Sequence, residues 1–420
     1  RVPWGPVALV KTITASWRQN SCNRVNGMSD IFIIAAKRSA IGSYGGSLKD
    51  TVPIDLAIPV ASAAIAQSGL PATAIEHAVY GHVIHTEPRD MYSPRCISIG
   101  AGLPDTAPAF QVNRLCGSGL QAIVSAIQLI SLGDAKTVLA GGVEVMSRGP
   151  YILPAQRWGA RMGDSHVIDM MVGALHDPFG IGHMGITAEN IAKDYAISRA
   201  AMDEFAAESQ ARASAAQSAG YFQEQIVPLE VRQGRKSITF DSDEFIRGDT
   251  TVESLSVLRP AFAKDGHVTA GNSSGINDGT AAIVLADSDS MTTHNAVPLA
   301  RIVSYGYGGV PSRIMGMGPV PASKMALERA GLTIDDLAVV ESNEAFAAQA
   351  CAVSIQLGLD PSIVNPNGGA IALGHPVGAT GAIIMTKLVH ELRRRGERYG
   401  MATMCIGGGQ GISVIIDAHI

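Results

Sequence analysis

The chain of 420 residues carries a formal net charge of −5, and 46% of its residues are hydrophobic while 16% are charged. This length allows two or three domains, or one large two-lobed core. The net negative charge argues against nucleic acid as a partner, and we expect no apolar stretch to approach the roughly 18 residues that span a bilayer. A charged fraction below the usual quarter indicates extensive burial, in part against other subunits.

Residues 1–27 differ in composition from the rest of the chain. They contain four basic residues and no acidic one, and they end just before Met28, after which "SDIFIIAAKRSAIG" is typical of a first core strand. We therefore predict a non-core N-terminal extension, with a basic transit peptide as the alternative. The chain that starts at Met28 is expected to keep full activity.

The five cysteines are widely spaced and form no CxxC pair. This spacing argues against a disulfide framework or a zinc site and favours a reducing compartment, so we expect a cytoplasmic protein. The five are Cys22, Cys96, Cys116, Cys351 and Cys405.

The predicted elements occur in the same order in two parts of the chain. The stretch "QSGLPATAIEHAVYG" (67–81) resembles "RAGLTIDDLAVVES" (329–342), and "CGSGLQAIVSAIQLI" from Cys116 resembles "GATGAIIMTKLVHEL" from Gly378. Both pairs are offset by 262 residues, which places Gly119 opposite Gly381. A third pair, "KTVLAGGVEV" (136–145) and "MATMCIGGGQG" (401–411), follows in the same order. The repeats predict two similar α/β halves, each with buried strands and amphipathic helices.

The segment between the two repeats is richer in charge and in Met, Arg and Asp. It contains a predicted helical pair around 187–219 and the polar stretch "RQGRKSITFDSDEFIRGDT". We predict that residues 146–270 form an insertion carried by the first half. The first half then comprises 28–145 and 271–298, and the second half comprises 299–420.

Cys116 is predicted to lie where a strand turns into a helix, within "VNRLCGSGLQAIVSA". Backbone N–H groups and the dipole of that helix favour a thiolate, which would lower the thiol pKa from about 8.5. The glycines that follow would let a substrate approach the sulfur. The pattern therefore indicates a candidate nucleophile, with a buried structural cysteine as the alternative.

Three more candidate residues lie at predicted turns of the second half. Cys405, in "MCIGGGQG", lies near a strand end, and this string lacks the Walker lysine and the βαβ unit of a nucleotide site. Asn343 follows a predicted strand, where it would hold a water or an oxyanion or serve as a helix N-cap. His375 is expected to approach a thiol, with its glycines leaving room for a long ligand. These glycines are 368, 369, 374, 378 and 381.

Four stretches together resemble the motif blocks of the thiolase family: "VNRLCGSGLQAI", "NEAF", "NGGAIALGHPVGATG" and "CIGGGQG". Within this family the chain is most similar to short-chain β-ketothiolases of the acetyl-CoA acetyltransferase type. The resemblance extends from Met28 to the C-terminus and includes "HMG" at 183–185. It implies an α/β thiolase fold of five layers, α-β-α-β-α, made of two similar halves with an inserted loop domain.

The resemblance also implies a role for each candidate. Cys116 would be the acylated nucleophile, His375 would accept its proton, and Cys405 would deprotonate the second acetyl-CoA. Asn343 would hold a water that, with Nε2 of His375, stabilises the enolate, while the N–H groups of Cys116 and Gly407 would stabilise the oxyanion. Residues implied to contact coenzyme A, the last two along the pantetheine channel, are Leu175, His183, Met184, Arg247, Ser274, Ala345 and Phe346.

These assignments agree with what a Claisen condensation of two thioesters requires. One group must hold an acyl chain while another makes a carbanion, so two thiols and one imidazole suffice. The resemblance thus implies reversible condensation of acetyl-CoA with an acyl-CoA to C4–C5 products, without cofactor or metal. It further implies a homodimer or homotetramer with no nucleic acid or membrane partner. The alternatives are a non-catalytic acyl-CoA or lipid carrier on this scaffold and a ketosynthase-like condensing enzyme.

Overall fold

The computed structural model describes residues 30–420. The predicted extension, Met28 and Cys22 lie outside the described residues. The helices are α1 (Pro53–Ser68), α2 (Ser93–Gly100), α3 (Ser118–Leu132), α4 (Met170–Ala174), α5 (Met184–Asp194), α6 (Arg199–Ser218), α7 (Val252–Ser256), α8 (Ser288–His294), α9 (Pro319–Ala330), α10 (Ala347–Leu357), α11 (Ala370–Leu373) and α12 (Thr380–Arg395). The strands are β1 (Ile31–Arg38), β2 (Gly42–Ser43), β3 (His77–Gly81), β4 (Ala109–Val112), β5 (Thr137–Val145), β6 (Tyr151–Ile152), β7 (Ile168–Asp169), β8 (His176–Asp177), β9 (Gly182–His183), β10 (Leu229–Gln233), β11 (Lys236–Phe240), β12 (Asn277–Asp287), β13 (Ala300–Gly309), β14 (Leu337–Ser342), β15 (Tyr399–Ile406) and β16 (Gln410–Asp417).

The two halves have the same strand order. In the first half it is β4-β3-β5-β12-β1, and in the second it is β14-β15-β16-β13, where an isolated bridge from Val340 to Val364 takes the place of β4. The pairs β3–β5 and β14–β15 are parallel, and in each half the next two pairings towards the junction are antiparallel. The half-sheets join where β1 pairs with β13, through two residue pairs only. The strands therefore form one continuous path rather than two separate sheets.

The helices arrange these half-sheets into layers. Helix α3 contacts β3 and β5 of the first half and β16 of the second, while α12 contacts β14, β15 and also β12. Both helices therefore lie between the half-sheets. Helix α1 packs on β1, β5 and β12, and α9 packs on β13, β15 and β16, so they form the outer layers. The predicted α-β-α-β-α architecture is confirmed.

Matching glycines end the matching outer helices. Helix α1 begins with Pro53 and ends at Gly69 (φ 74°), and α9 begins with Pro319 and ends at Gly331 (φ 66°). Proline suits the first helical turn because it has no N–H to satisfy, and glycine adopts the left-handed cap without strain. The repeat offset of 262 residues thus marks equivalent helix ends.

The two central helices touch backbone to backbone. A Cβ atom on Gly381 would overlap the main-chain nitrogen of Leu120, and one on Gly119 would lie 2.7 Å from the nitrogen of Ala382. Glycine is required at both positions because the missing side chains let the helices approach this closely. The pair that the repeat places opposite each other is therefore the contact point of α3 and α12.

The sequence-based expectation about apolar stretches was wrong for the segment that contains α3. The window Leu115–Leu132 has 18 residues and a mean hydropathy of 1.6, which by length and composition suffices to cross a membrane. However, 56% of this window is buried inside the protein. A helix covered by sheets on two sides becomes apolar all round, which accounts for the composition.

Residues 146–270 carry the short elements between β5 and β12. Helices α5 and α6 pack against α10 and α11 of the second half, and the hairpin of β10 and β11 lies next to the first half, where Gln233 bonds Ser47. The Val227 N–H donates to the carbonyl of Arg38, and the Arg38 side chain forms a buried ion pair with Asp243. This segment therefore contacts both halves.

We expect Gly381→Ala to lower the stability of the protein. The added methyl group forces α3 and α12 apart, and overpacking of this kind costs about 1–3 kcal/mol. The thermal unfolding midpoint measures the effect. Gly309→Ala is the matched control, because nothing lies within 4 Å of a Cβ there. Equal unfolding midpoints for the two variants would contradict the backbone contact.

Candidate active site

Cys116 lies two residues before α3, at a strained turn. Leu115, just before it, has a φ of 46°, in the left-handed region that non-glycine residues rarely adopt. The N–H groups of Cys116 itself and of Gly407, which follows β15, point at the Cys116 sulfur. The residue is partly exposed and lines the main cavity of the protein, although the thiol itself is largely shielded from water. A strained turn at a cavity thiol with two N–H donors is typical of a reacting group.

The structure corrects the expected direction of the Cys116 pKa. Burial raises the pKa of this thiol, and the carboxylate of Glu144 raises it further, while the two N–H groups oppose the shift without reversing it. The sequence argument considered only the helix start, and the loss of solvent outweighs it. Cys116 is therefore a neutral thiol at neutral pH, so its use as a nucleophile requires a base.

His375 has the protonation state and hydrogen bonding of such a base. Burial lowers the pKa of its imidazole to about 4, so the ring is neutral at neutral pH. Its Nδ1 lies 2.7 Å from Oγ1 of Thr380, which in turn lies 2.9 Å from the carbonyl oxygen of Pro376. If Thr380 donates to that carbonyl, it accepts from Nδ1–H and leaves the lone pair on Nε2. Nε2 is buried and has no partner within residues 30–420.

The glycines around His375 have a different function from the expected one. None of them lines the main cavity. Instead, a Cβ on Gly369 would overlap the carboxylate of Glu344, one on Gly374 would overlap the amide of Asn277, and one on Gly378 would lie 2.5 Å from Oε2 of Glu144. Because glycine occupies these positions, buried polar side chains can reach the backbone of the loop. Asn277, for example, accepts a hydrogen bond from the His375 N–H at 3.0 Å.

Asn343 lies directly after β14 with an unpartnered side chain. Both its Oδ1 and its Nδ2 are buried without a hydrogen-bond partner among the described residues. Its backbone is held in place, since its N–H donates to the Thr403 carbonyl at 3.0 Å. A neighbouring cavity of about 10 Å³, the size of a single water, is lined by Asn343 and Thr380. The helix N-cap alternative does not apply, because α10 is capped at Phe346.

Cys405 lies one residue before the end of β15 and is 1% exposed. Burial raises the pKa of its thiol strongly, and the neighbouring Cys116 raises it further. The interaction shows that the two thiols are close together. Cys405 packs in an apolar cluster with Met184, Met315 and Phe346. The candidate residues thus lie in loops or at the end of a strand: Cys116, His375, Asn343, Cys405 and Gly407.

The main cavity has a volume of about 570 Å³ and contains both Cys116 and His375. Its wall is mainly apolar, and it includes aromatic contacts in which the ring of Phe262 stacks on His183 and meets Phe346 edge-on. Arg247 is the one lining residue that carries a permanent charge within the described chain. All seven residues predicted to contact coenzyme A line this cavity: Leu175, His183, Met184, Arg247, Ser274, Ala345 and Phe346. Asn343, Cys405 and Gly407 do not line it.

Sequence reasoning missed the buried polar residues behind these loops. Asn365 donates to Glu344 at 2.7 Å and to the carbonyl of Ser342 at 2.8 Å, so it fixes the turn that carries Asn343. Lys387 forms a buried ion pair with Glu341 at 2.7 Å. The sequence signal was a cluster of Asn and Glu beside apolar strands, but it does not reveal which partners meet.

No cluster of three or more potential metal ligands occurs in the part of the chain that the structure describes. The expectation of a metal-free enzyme stays a prediction.

The family models for the thiolase N-terminal and C-terminal domains match residues 31–289 and 296–418. The chain belongs to the thiolase family. The sequence-based predictions of family, fold class and acyltransferase class are confirmed. The N-terminal match includes residues 146–270, so it leaves our boundaries for the inserted segment as a prediction.

Curated relatives and solved structures agree with this assignment. This thiolase is 57% identical to beta-ketothiolase BktB of Cupriavidus necator, over 92% of this chain and 99% of the relative. It is 47% identical to an acetyl-CoA acetyltransferase of the same organism, over 93% and 100% of the two chains. Human mitochondrial 3-ketoacyl-CoA thiolase has a similar structure, with a TM-score of 0.91 and 45% identity over 93% and 99% of the chains. A second structure of the human thiolase contains CoA and has a TM-score of 0.90, with 45% identity over 93% and 98% of the chains.

We expect Thr380→Val to slow turnover by about 10- to 100-fold. Valine preserves the shape but leaves Nδ1 of His375 without a buried partner, which costs about 1–3 kcal/mol. Thr380→Ser keeps the hydroxyl and should retain most activity. Steady-state kcat and KM for thiolysis of a short 3-ketoacyl-CoA measure both variants, with thermal unfolding as a check on folding. A serine variant as slow as the valine variant would rule out the hydroxyl as the cause.

Proposed function

We propose that this thiolase catalyses the reversible condensation of acetyl-CoA with an acyl-CoA to a 3-ketoacyl-CoA and CoA, through an acyl group on Cys116. The observation that carries the proposal is a neutral imidazole with an unpartnered Nε2 in the same cavity as a neutral thiol. The relatives named above support the substrate class. A ketosynthase-like function is not favoured, because those relatives are named as thiolases and acetyltransferases.

In the first half-reaction, Nε2 of His375 takes the thiol proton as the Cys116 sulfur attacks the thioester carbonyl. The carbon–sulfur bond to Cys116 forms, the bond to coenzyme A breaks, and the Nε2 proton passes to the leaving thiolate. The N–H groups of Cys116 and Gly407 would stabilise the negative oxygen of the tetrahedral intermediate. Their direction towards the Cys116 sulfur supports this role.

In the second half-reaction, Nε2 of His375 takes the proton of the neutral Cys405 thiol, and the Cys405 thiolate then takes an α-proton from acetyl-CoA. The resulting enolate would be stabilised by Nε2–H of His375 and by a water held on Asn343. The carbanion attacks the acyl carbonyl, the Cys116 thiolate leaves, and the Nε2 proton of His375 passes to that sulfur, while the α-proton stays on the Cys405 thiol. Acylation removes the ionisable thiol of Cys116, which is one of the causes that raise the pKa of Cys405. The first half-reaction therefore prepares the base for the second.

The two roles of His375 require different protonation states of Nε2. As a base it needs a lone pair on Nε2, and as a donor to the enolate it needs the proton taken from Cys405 there. The hydroxyl of Thr380 suits both states, because it accepts from Nδ1–H in each of them.

The acyl group on Cys116 would extend into an apolar cluster beside the sulfur. This cluster consists of Ile84, Met146, Met171 and Val377, with Leu175 and Ile276 packed against it. Met146, Val377 and Leu175 also line the main cavity. Such a wall suits a short straight chain, which supports the C4–C5 products implied by the family resemblance.

We also propose that the protein is a cytoplasmic homodimer or homotetramer. Large apolar side chains are exposed on the described chain, among them Trp158 at 89% and Met162 at 99% in the inserted segment. Exposure of this kind marks surfaces that partners cover. Acetyl-CoA, acyl-CoA and CoA are the proposed small-molecule partners.

The variants Cys405→Ala and Cys116→Ala test whether Cys116 acts as the nucleophile and Cys405 as the base. The Cys405 variant should still gain one acetyl group on Cys116 from acetyl-CoA, while condensation falls by roughly 10²–10⁴-fold because one general base is lost. The Cys116 variant should form no adduct but retain some exchange of α-hydrogens with deuterated water. Intact-mass spectrometry and NMR measure the two reactions. A folded Cys405→Ala protein that stays unacetylated would contradict the assignment, and a wild-type chain without any adduct would favour a carrier.

Chain-length preference is tested by Met146→Ala. Removing this side chain should shift thiolysis towards longer straight chains by roughly fourfold in relative kcat/KM per added methylene, since each buried CH₂ contributes about 0.8 kcal/mol. A series from C4 to C8 3-ketoacyl-CoAs measures the shift. Leu258→Ala is the control, because Leu258 lines the same cavity outside the cluster beside Cys116. The same profile in both variants would contradict a chain subsite at Met146.

A further inference from the structure

Glu144 connects three separate segments through one carboxylate. It lies near the end of β5 and is 0% exposed. Its Oε2 accepts hydrogen bonds from the N–H of Val83 at 3.1 Å and of Gly378 at 2.9 Å, and its Oε1 accepts from the N–H of Ile84 at 3.0 Å. A buried carboxylate that receives three backbone donors is strongly held in place.

These three donors belong to the two sides of the reaction cavity. Gly378 lies between His375 and Thr380, on the loop that leads into α12. Ile84 belongs to the apolar cluster that contacts Cys116. Glu144 therefore ties the imidazole loop of the second half to the thiol side of the first half. Gly378 permits this contact, because a Cβ there would press on the carboxylate.

We propose that Glu144 is a positioning residue of this site, which holds the loop of His375 against the segment of Val83 and Ile84 so that imidazole and thiol face each other. This inference rests on the proposed function. Glu144 does not line the cavity, and both of its oxygens accept hydrogen bonds from backbone N–H groups, so it has no direct part in the proposed reaction.

The charge of Glu144 has an effect on the Cys116 thiol that can be measured separately from catalysis. Its proximity raises the pKa of the Cys116 thiol, which opposes activation of the nucleophile. The other groups that face Glu144 are His82, 3.6 Å away with a pKa lowered to about 4 by burial, and Asp90, whose charge raises the pKa of Glu144. Burial itself raises that pKa to about 8, so Glu144 is ionised in the alkaline range where the thiol titrates.

The test is Glu144→Gln, with two measurements that should move in opposite directions. Glutamine places an NH₂ group against at least one backbone N–H, so turnover measured above pH 8, where Glu144 is ionised, should fall by tenfold or more. Loss of the negative charge should also move the pH profile of Cys116 alkylation by iodoacetamide to lower pH. Peptide mapping after brief exposure assigns the labelled cysteine. Easier ionisation of the Cys116 thiol together with slower catalysis would identify Glu144 as a positioning residue. An unfolded protein would instead expose all its cysteines to iodoacetamide at every pH.

Two further variants separate the effect of the charge from the effect of the side-chain length. Glu144→Asp keeps the charge on a shorter side chain, so turnover should fall while the alkylation profile stays at high pH. Asp278→Asn removes another buried carboxylate, on strand β12 next to β5. Asp278 accepts hydrogen bonds from Ser147 and is not among the groups that shift the pKa of Cys116. This control should leave the profile unchanged. If the glutamine variant does not fold, the aspartate variant alone decides.

Wild-type turnover in either Glu144 variant would overturn the proposal, as would an alkylation profile of the glutamine variant that stays in place or moves to higher pH. The outcome is separable from the proposed function. A wild-type protein that never acquires acetyl on Cys116 would defeat the proposed function, whereas the alkylation comparison would still report whether Glu144 acts on this thiol.

Discussion

The backbone contact between α3 and α12 at Gly119 and Gly381 is the constraint on which the arrangement of the site depends. Cys116 lies two residues before one helix, and His375 lies five residues before the other. Because no side chain separates the helices where they touch, the turns at their N-termini are brought together. The β1–β13 pairing joins the half-sheets through two residue pairs, and α3 and α12 each contact a strand of the other half in addition to one another.

Burial determines the electrostatics of the site. It raises the pKa of both thiols and lowers that of His375, so each group is neutral before the reaction begins. A preformed thiolate–imidazolium pair, as a helix dipole alone would favour, is not what the surroundings support. In the proposed reaction, protons move between neutral partners as bonds to the acyl carbon form, and the N–H groups of Cys116 and Gly407 stabilise the charge where it develops. The proposed acyl group would also change the surroundings of Cys405.

The repeats predicted two similar α/β halves and local signals indicated the candidate residues, whereas the five layers and the role of each residue came from the family resemblance. Neither indicated which residues hold the candidate residues in place. Short local motifs predict the glycine caps at 69 and 331. The constant offset between the repeats predicts the opposed glycines at 119 and 381. In contrast, Glu144 bonds a residue 234 positions away, and Asn277 bonds His375 from 98 positions away. No periodicity relates such pairs. The direction of the Cys116 pKa failed for the same reason, because burial is a property of the assembled halves.

The shared architecture of the halves makes their differences at one place informative. With the offset of 262 residues, Cys116 corresponds to Gly378 and His375 corresponds to Asn113. If the halves were identical, the two turns would carry the same residue, either two thiols or two imidazoles, and no thiol would face an imidazole. In the proposed reaction, the difference between the two turns gives one half the nucleophile and the other half the base. A protein built from two similar halves can thus form an asymmetric reaction centre when the halves differ at these turns while their sheets remain alike.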